Sequence, residues 1–192
     1  MTTALEQAAG VLIGKQALHQ MHAVLARETG VKAALLLREV GFATGEAIHQ
    51  RFEHWCRSQY RVESARELDT AHLGQVLGEF FADSGWGALT LTELSPSVLA
   101  LDAGAWAEAL PAGGGGATDS PSCHFSCGLL ADFFTRLGGS RAAVMEVECA
   151  SRGDERCRFL VGSPDVLTHL YERMTGGMTY QEALNGSGKE GG

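Results

Sequence analysis

Two cysteines, Cys149 and Cys157, flank a short loop between two apolar runs, and this arrangement constrains the fold more than any other feature of the sequence. The loop, ASRGDER, joins MEVE to RFLV and has Gly153-Asp154 at its tip, which is typical of a β-hairpin. If the strands pair symmetrically about Gly153, Cys149 faces Cys157. We therefore predict that two thiols meet at the base of a hairpin. The same register pairs the residues farther from the loop: Val147 with Phe159, Met145 with Val161, and Glu148 with Arg158.

A third thiol, Cys123, opens a segment in which apolar residues recur at three- and four-residue intervals, as they do on one face of a helix. With Glu146, the three thiols make a donor set that suits Zn²⁺ in a closed tetrahedron. Such a site would tie the helix to the hairpin. Because three thiolates and one carboxylate leave the site two charges negative, it needs nearby N–H donors or a cation, and Arg156 or Arg158 is a candidate.

The same residues allow other interpretations. Buried cysteines can be small apolar side chains, and Cys149 can form a disulfide with Cys157. A chain with five cysteines and no apolar signal segment at its N-terminus is not typical of an oxidising compartment, however. Cys127 lies one helical turn after Cys123 and can replace it as a ligand. Glu146 and Cys149 are an odd number of residues apart, so the strand must leave the ladder or bulge near Glu148 for both to reach one ion.

This segment resembles the 4-vinyl reductase (4VR) domain family, and in particular the zinc-binding half of the sensory domains of bacterial transcription activators that respond to phenol and xylene. In that pattern a Cys is followed by Gly five residues on, Glu at 23, Cys at 26 and a third Cys after eight more. The chain meets it without a gap at Cys123, Gly128, Glu146, Cys149 and Cys157. The resemblance implies a structural Zn²⁺ bound by Glu146 rather than Glu148, with Cys127 packed beside the site and not bound to the metal.

The resemblance extends over most of the chain, from about Gly10 to Ser163, and includes Gly41 and Gly45 of the segment GFATG. More loosely, it includes the bacteriochlorophyll biosynthesis protein once assigned as a 4-vinyl reductase. It implies a fold shared with nitric-oxide-sensing haem domains and TRAPP vesicle-tethering subunits. It also implies an apolar pocket between helices and sheet, in which a His and a Trp point polar atoms at a phenol. Our candidate pocket residues are Phe42, His72, Trp106, Phe125 and Phe133.

Periodicity predicts helices over about 3–28, 31–60 (with a break allowed at Gly41 to Gly45), 69–83 and 165–175. The alternating runs ALTLTEL and SVLALD predict a second hairpin. Together these elements predict an α+β fold with an antiparallel sheet of about four strands. We expect one ligand-binding domain over residues 1–176, with its zinc-binding subregion at 121–163, and a flexible C-terminal tail at 177–192.

Two further histidines, His19 and His22, lie three residues apart on the first predicted helix. No third metal ligand accompanies them, and we expect them to face solvent. His124, which follows Cys123, is a candidate to support the zinc ligands by hydrogen bonding.

The net charge of −8 argues against nucleic acid or an anionic membrane as the partner. The apolar run ALLL is too short to span a membrane, and the chain has no nucleophile elbow, P-loop or dinucleotide motif. We therefore expect a cytoplasmic domain that binds or senses an apolar or aromatic molecule, with no DNA-binding or ATPase module of its own. This interpretation is favoured over an enzyme. The alternative is an accessory protein or substrate carrier in bacteriochlorophyll or tetrapyrrole biosynthesis. Apolar N-terminal helices also predict a homodimer.

Overall fold

A computed structural model of the protein describes residues 13–68, 70–110 and 120–186. Three helices come first, followed by a hairpin, a helix, a second hairpin and two short helices. The elements are α1 (Lys15–Thr29), α2 (Ala33–Tyr60), α3 (Thr70–Asp83), β1 (Leu89–Ser95), β2 (Val98–Ala103), α4 (His124–Gly138), β3 (Ala143–Glu148), β4 (Cys157–Gly162), α5 (Pro164–Thr175) and α6 (Tyr180–Gly186). The predicted class is confirmed. Of the first predicted helix, residues 3–12 lie outside the described residues.

The four strands form one antiparallel sheet in the order β1-β2-β4-β3, so that the two hairpins meet where β2 pairs with β4. Alternation of side chains along the strands gives the sheet two apolar faces. One face, which includes Leu101 and Phe159, packs against α1 to α4 in the main core. The opposite face, which includes Ala100 and Leu160, is covered by α5 and α6. The sheet is therefore a central layer with helices on both sides.

Glycines let α2 and α4 touch backbone to backbone. A Cβ atom placed on Gly41 would lie 2.0 Å from the carbonyl oxygen of Phe125, and one on Gly128 would lie 2.0 Å from that of Arg38. Any side chain at these positions would force the helices apart. The break that the sequence allowed at Gly41 to Gly45 does not occur, because α2 is continuous and these glycines serve the helix crossing instead.

The second hairpin contains a β-bulge at Val147. Glu148 pairs with Arg158 as predicted, but the next residue of β4, Phe159, pairs with Glu146, which leaves Val147 as an extra residue. The predicted pairs farther from the loop are therefore wrong by one position. Val147 packs on the side of α5 and α6. The bulge that the metal ligands required is present, next to the predicted position.

The C-terminal segment differs from the predicted flexible tail. Within 177–192, residues Tyr180–Gly186 form α6, and the side chains of Tyr180 and Ala183 are buried against the sheet. The Tyr180 hydroxyl donates a hydrogen bond to Glu148 and accepts one from Arg158 at 2.7 Å. A helix of seven residues with two anchoring side chains has too weak a periodicity to be distinguished from a polar tail.

Candidate metal centre and ligand groove

The structure brings Cys123, Glu146, Cys149 and Cys157 together, with one donor atom from each lying within 4.8 Å of all the others. Cys123 precedes α4, Cys149 follows β3 and Cys157 begins β4. The Cys123 sulfur lies 3.9 Å from that of Cys149 and 3.8 Å from that of Cys157. Zn–S bonds of about 2.3 Å in a tetrahedron place the sulfurs about 3.8 Å apart. The cluster therefore has the dimensions of a metal site.

All four side chains are shielded from water. The three cysteines are fully buried, and Glu146 is 7% exposed. One carboxylate oxygen of Glu146 accepts a hydrogen bond from the Cys123 backbone N–H at 2.8 Å, whereas its other oxygen has no hydrogen-bond partner among the described residues. A buried carboxylate oxygen without a partner is costly. It is thus available to bind an ion.

The ionisation of the cluster also favours a cation. Burial, and after it the nearby Cys149, raise the pKa of the Glu146 carboxyl to about 8. Hydrogen bonds from Cys123 and Cys157 lower the pKa of the Cys149 thiol, whereas donating to Cys149 and Cys157 raises the pKa of Cys123. Without a metal, the four groups cannot all carry a negative charge. A bound divalent cation supplies the positive charge that allows coordinating thiols to ionise.

The predicted charge compensation by arginine is wrong. Arg158 pairs with Asp102 at 2.6 Å, and Arg156 with Glu148 at 3.1 Å, on the face of the sheet that carries α6. Hydrogen-bond donors near the sulfurs include the Ala150 backbone N–H, which lies 3.5 Å from the sulfur of Cys157. The bulge explains the change, because it turns Glu148 and its partners away from the thiols.

The two alternative ligands lie outside the cluster. Cys127 is buried one turn into α4, where desolvation raises its pKa, and it is not one of the four grouped donors. Glu148 is held by Arg158 and Tyr180 on the opposite face. The ligand set that the family resemblance implied is the one that the described residues bring together.

Glu108, which the sequence analysis missed, holds the start of α4. Its side chain is completely buried and accepts hydrogen bonds from the backbone N–H groups of Phe125 at 2.9 Å and Ser126 at 2.7 Å. A carboxylate at these otherwise unpaired N–H groups is favourable electrostatically. Glu108 is distant in sequence from α4, and no spacing rule identifies it. It fixes the helix that presents Cys123.

The expectation that His19 and His22 face solvent is wrong. The His22 Nε2 atom lies 2.9 Å from a carboxylate oxygen of Glu108, which is within ion-pair distance, although its orientation does not satisfy hydrogen-bond geometry. His19 Nε2 lies 2.9 Å from the carbonyl oxygen of Ala107. These two residues attach α1 to the segment before α4. His124 lies next to Cys123, and burial lowers its pKa.

The five candidate pocket residues do not line one cavity. Phe125 and Phe133 are buried in a packed core, where the Phe133 ring lies 5.5 Å from that of Phe81. The buried Trp106 donates its indole N–H to Ser126 at 2.6 Å. Phe42 is 49% exposed on α2, and His72 is exposed on α3. Aromatic side chains fill the middle of the space between helices and sheet.

An apolar cavity of about 670 Å³ does open between the helices and the sheet, at the end where β1 turns into β2. We call it the helix–sheet groove. Its apolar lining consists of Leu68, Leu73, Leu99, Phe134, Leu137 and Val161, and its charged lining of Arg66, Glu93 and Arg141. Because Val161 and Cys157 lie near opposite ends of β4, the groove and the metal cluster are at opposite ends of the sheet.

A second cavity, of about 700 Å³, lies between α1 and the segment before α4 and is lined by His19, His22 and His124 among others. It borders Leu110 and Ser120, and the residues that join them lie outside the described part of the chain. The helix–sheet groove is enclosed only by described residues.

Residues 105–163 match the vinyl-4-reductase (4VR) domain family, and this stretch includes all four residues of the metal cluster. An uncharacterized protein of Methanocaldococcus jannaschii is 29% identical over 85 residues, and the match covers 44% of this chain and 44% of that protein. The chain thus matches less than half the length of that relative. In the described residues, no helix combines the length and apolar character needed to cross a membrane.

Two solved structures share the fold. One is the phenol-responsive sensory domain of the transcription activator PoxR with phenol, at a TM-score of 0.56 and 17% identity, covering 80% of this chain and 76% of that chain. The other is trafficking protein particle complex subunit 3 from Naegleria fowleri, covalently bound to palmitic acid, at a TM-score of 0.53 and 12% identity, covering 77% and 93%. The predicted family resemblance and fold are confirmed.

Proposed function

We propose, for a chain whose residues 105–163 match the 4VR domain family, that the protein binds a small apolar or aromatic molecule in the helix–sheet groove. The observation that carries this proposal is the groove itself, in which six apolar side chains line a cavity of about 670 Å³. That volume is typical of small-molecule sites, which are largely apolar with a few polar groups at defined places. Apolar side chains gathered in one open concavity are typical of a binding surface.

The metal in this proposal is Zn²⁺ with a structural role. Three buried cysteine sulfurs and one carboxylate oxygen are donors that zinc accepts in closed tetrahedral sites. With all four positions taken by protein, no position remains for a water molecule that the metal could activate. The zinc would hold the start of α4 against the second hairpin.

The metal cluster and the groove share two elements. Cys123 precedes α4, and Phe134 and Leu137 near the other end of α4 line the groove. Cys157 begins β4, and Val161 near its end lines the groove. Fixing α4 and β4 at one end therefore constrains their separation at the other, which is the width of the groove.

Binding without turnover fits the groove chemistry. Its charged lining consists of two arginines and one glutamate, and among the described lining residues no cysteine, histidine or lysine is available as a nucleophile or base. A sensory role is supported by the fold shared with the phenol-responsive domain of PoxR.

We also propose a homodimer through α2. Leu35 and Phe42 lie seven residues apart, on one face of the helix, and are 67% and 49% exposed. Val31, just before α2, is 96% exposed. Light scattering should give twice the chain mass of 20.4 kDa, and Leu35→Glu should give the monomer. A wild-type protein that scatters as a monomer at micromolar concentration would contradict this proposal.

The test of ligand binding is a melting assay with phenols, alkylbenzenes, arylalkyl carboxylates and porphyrins. A ligand present at a hundred times its dissociation constant stabilises the folded state by about 2.7 kcal/mol. Leu73→Trp should fill the groove and abolish the shift without changing the zinc content. Val40→Trp, on an exposed position of α2 outside the groove, is the matched control. If no compound shifts the melting temperature, the proposal is wrong. A shift with porphyrins alone would favour the role in tetrapyrrole biosynthesis.

A further inference from the structure

The charged residues of the helix–sheet groove point to the class of its ligand. We propose that the ligand is an amphiphilic anion, with an apolar body in the groove and a carboxylate between Arg66 and Arg141. This inference rests on the proposed function, because it names the chemistry of a ligand for the same groove.

Arg66 is held in place by the end of α4. Its guanidinium group donates a hydrogen bond to the carbonyl oxygen of Arg136 at 3.1 Å. Arg66 follows Ser64, whose hydroxyl accepts a hydrogen bond from the Arg66 backbone N–H. An arginine fixed in this way loses less side-chain entropy when it binds an anion.

Arg141 is available for a ligand. It is exposed in the turn between α4 and β3, lines the groove, and forms no ion pair within the described residues. Two guanidinium groups, each with several N–H donors, can bind the two oxygens of one carboxylate.

The sign of the local charge distinguishes an anion from a cation. Two arginines and one glutamate, Glu93, line the groove, which leaves it one charge positive on a protein whose net charge is −8. An overall negative surface repels anions, so a positive, apolar cavity in it would select them at that place. Glu93 is exposed on β1, and a ligand carboxylate is expected at the arginines and away from it.

The experiment compares one apolar skeleton with three head groups: 4-phenylbutanoate, 4-phenylbutan-1-ol and 4-phenylbutylamine. Calorimetry on the whole, metal-loaded protein should rank the acid above the alcohol and the alcohol above the amine. Each partly exposed arginine should contribute about a fivefold difference in affinity. Arg141→Gln should weaken the acid by about that factor and leave the alcohol unchanged. Arg57→Gln, an exposed arginine outside the groove, is the matched control.

The outcomes separate this inference from the proposed function. Equal affinity for the three compounds, with all binding lost in Leu73→Trp, would overturn the anion preference and leave an apolar binding site. Preference for the acid that survives both Arg141→Gln and Arg66→Gln would also overturn it. Failure of all three compounds to bind, together with failure of the uncharged aromatic panel, would overturn both proposals.

Discussion

Replacing the buried carboxylate of Glu108 should loosen the metal centre, although Glu108 is not a ligand. In Glu108→Ala, the backbone N–H groups of Phe125 and Ser126 lose their acceptor inside the protein. A buried donor left without a partner costs about 1–3 kcal/mol. The variant also no longer has to bury a carboxylate, which offsets part of that loss. We expect a net loss of about 3 kcal/mol in the free energy of unfolding.

The metal should respond because the affected N–H groups belong to the turn that presents Cys123. Removing groups that orient a metal ligand typically lowers metal affinity by about 10–100-fold. Competition with a chelator of known affinity measures this change, and urea unfolding measures the stability.

Two variants grade the effect. Glu108→Gln keeps one acceptor oxygen but turns an NH₂ group towards the second backbone donor, so we expect a smaller loss of about 1–2 kcal/mol. His22→Ala removes only the contact with α1 and should cost about 1 kcal/mol. Glu172→Ala, at an exposed position on α5, is the matched control. If Glu108→Ala and Glu172→Ala have the same urea midpoint and the same zinc affinity, the argument fails.

Three other changes test the fold around the site. Cys149→Ser should lose the metal and yield insoluble or partly folded protein, since structural zinc contributes on the order of 10 kcal/mol to folding; a soluble, fully folded variant by circular dichroism would contradict a structural role. Gly128→Ala forces a methyl group to within 2.0 Å of the Arg38 carbonyl oxygen and should cost at least about 2 kcal/mol in thermal unfolding, whereas Gly138→Ala, with no atom within 4 Å in the same helix, should be neutral or stabilising. Tyr180→Phe should cost about 1 kcal/mol, because the lost hydroxyl joins α6 to the sheet, and an unchanged melting temperature would show that α6 is not anchored there.

The metal cluster could be predicted from the sequence because its geometry is mostly local. Cys149 and Cys157 are brought together by one hairpin, and the odd spacing of Glu146 and Cys149 already required a bulge. The position of that bulge was not predictable to the residue. Its place at Val147 depends on packing against α5 and α6, which periodicity in the hairpin does not reveal.

The groove could not be predicted, because the fate of an aromatic side chain depends on its tertiary neighbours. Phe133 resembles a pocket residue in sequence, yet it contacts Phe52 and Phe81 in a filled core. The groove is lined instead by leucines whose helical spacing is that of ordinary core positions, such as Leu73 and Leu137. Likewise, Glu108 stabilises a helix that begins 16 residues later, and such a long-range contact leaves no local pattern.

The backbone contact between α2 and α4 limits how this domain can respond to a ligand. At most helix crossings, side chains change rotamers and let one helix slide along the other. Where Gly41 lies against Phe125 and Gly128 against Arg38, there are no intervening side chains to rearrange. The two helices must move as one rigid unit. A ligand that widens the groove therefore acts on its other walls, α3 and the β1–β2 hairpin, and a signal leaving the domain would be transmitted through the movement of those elements.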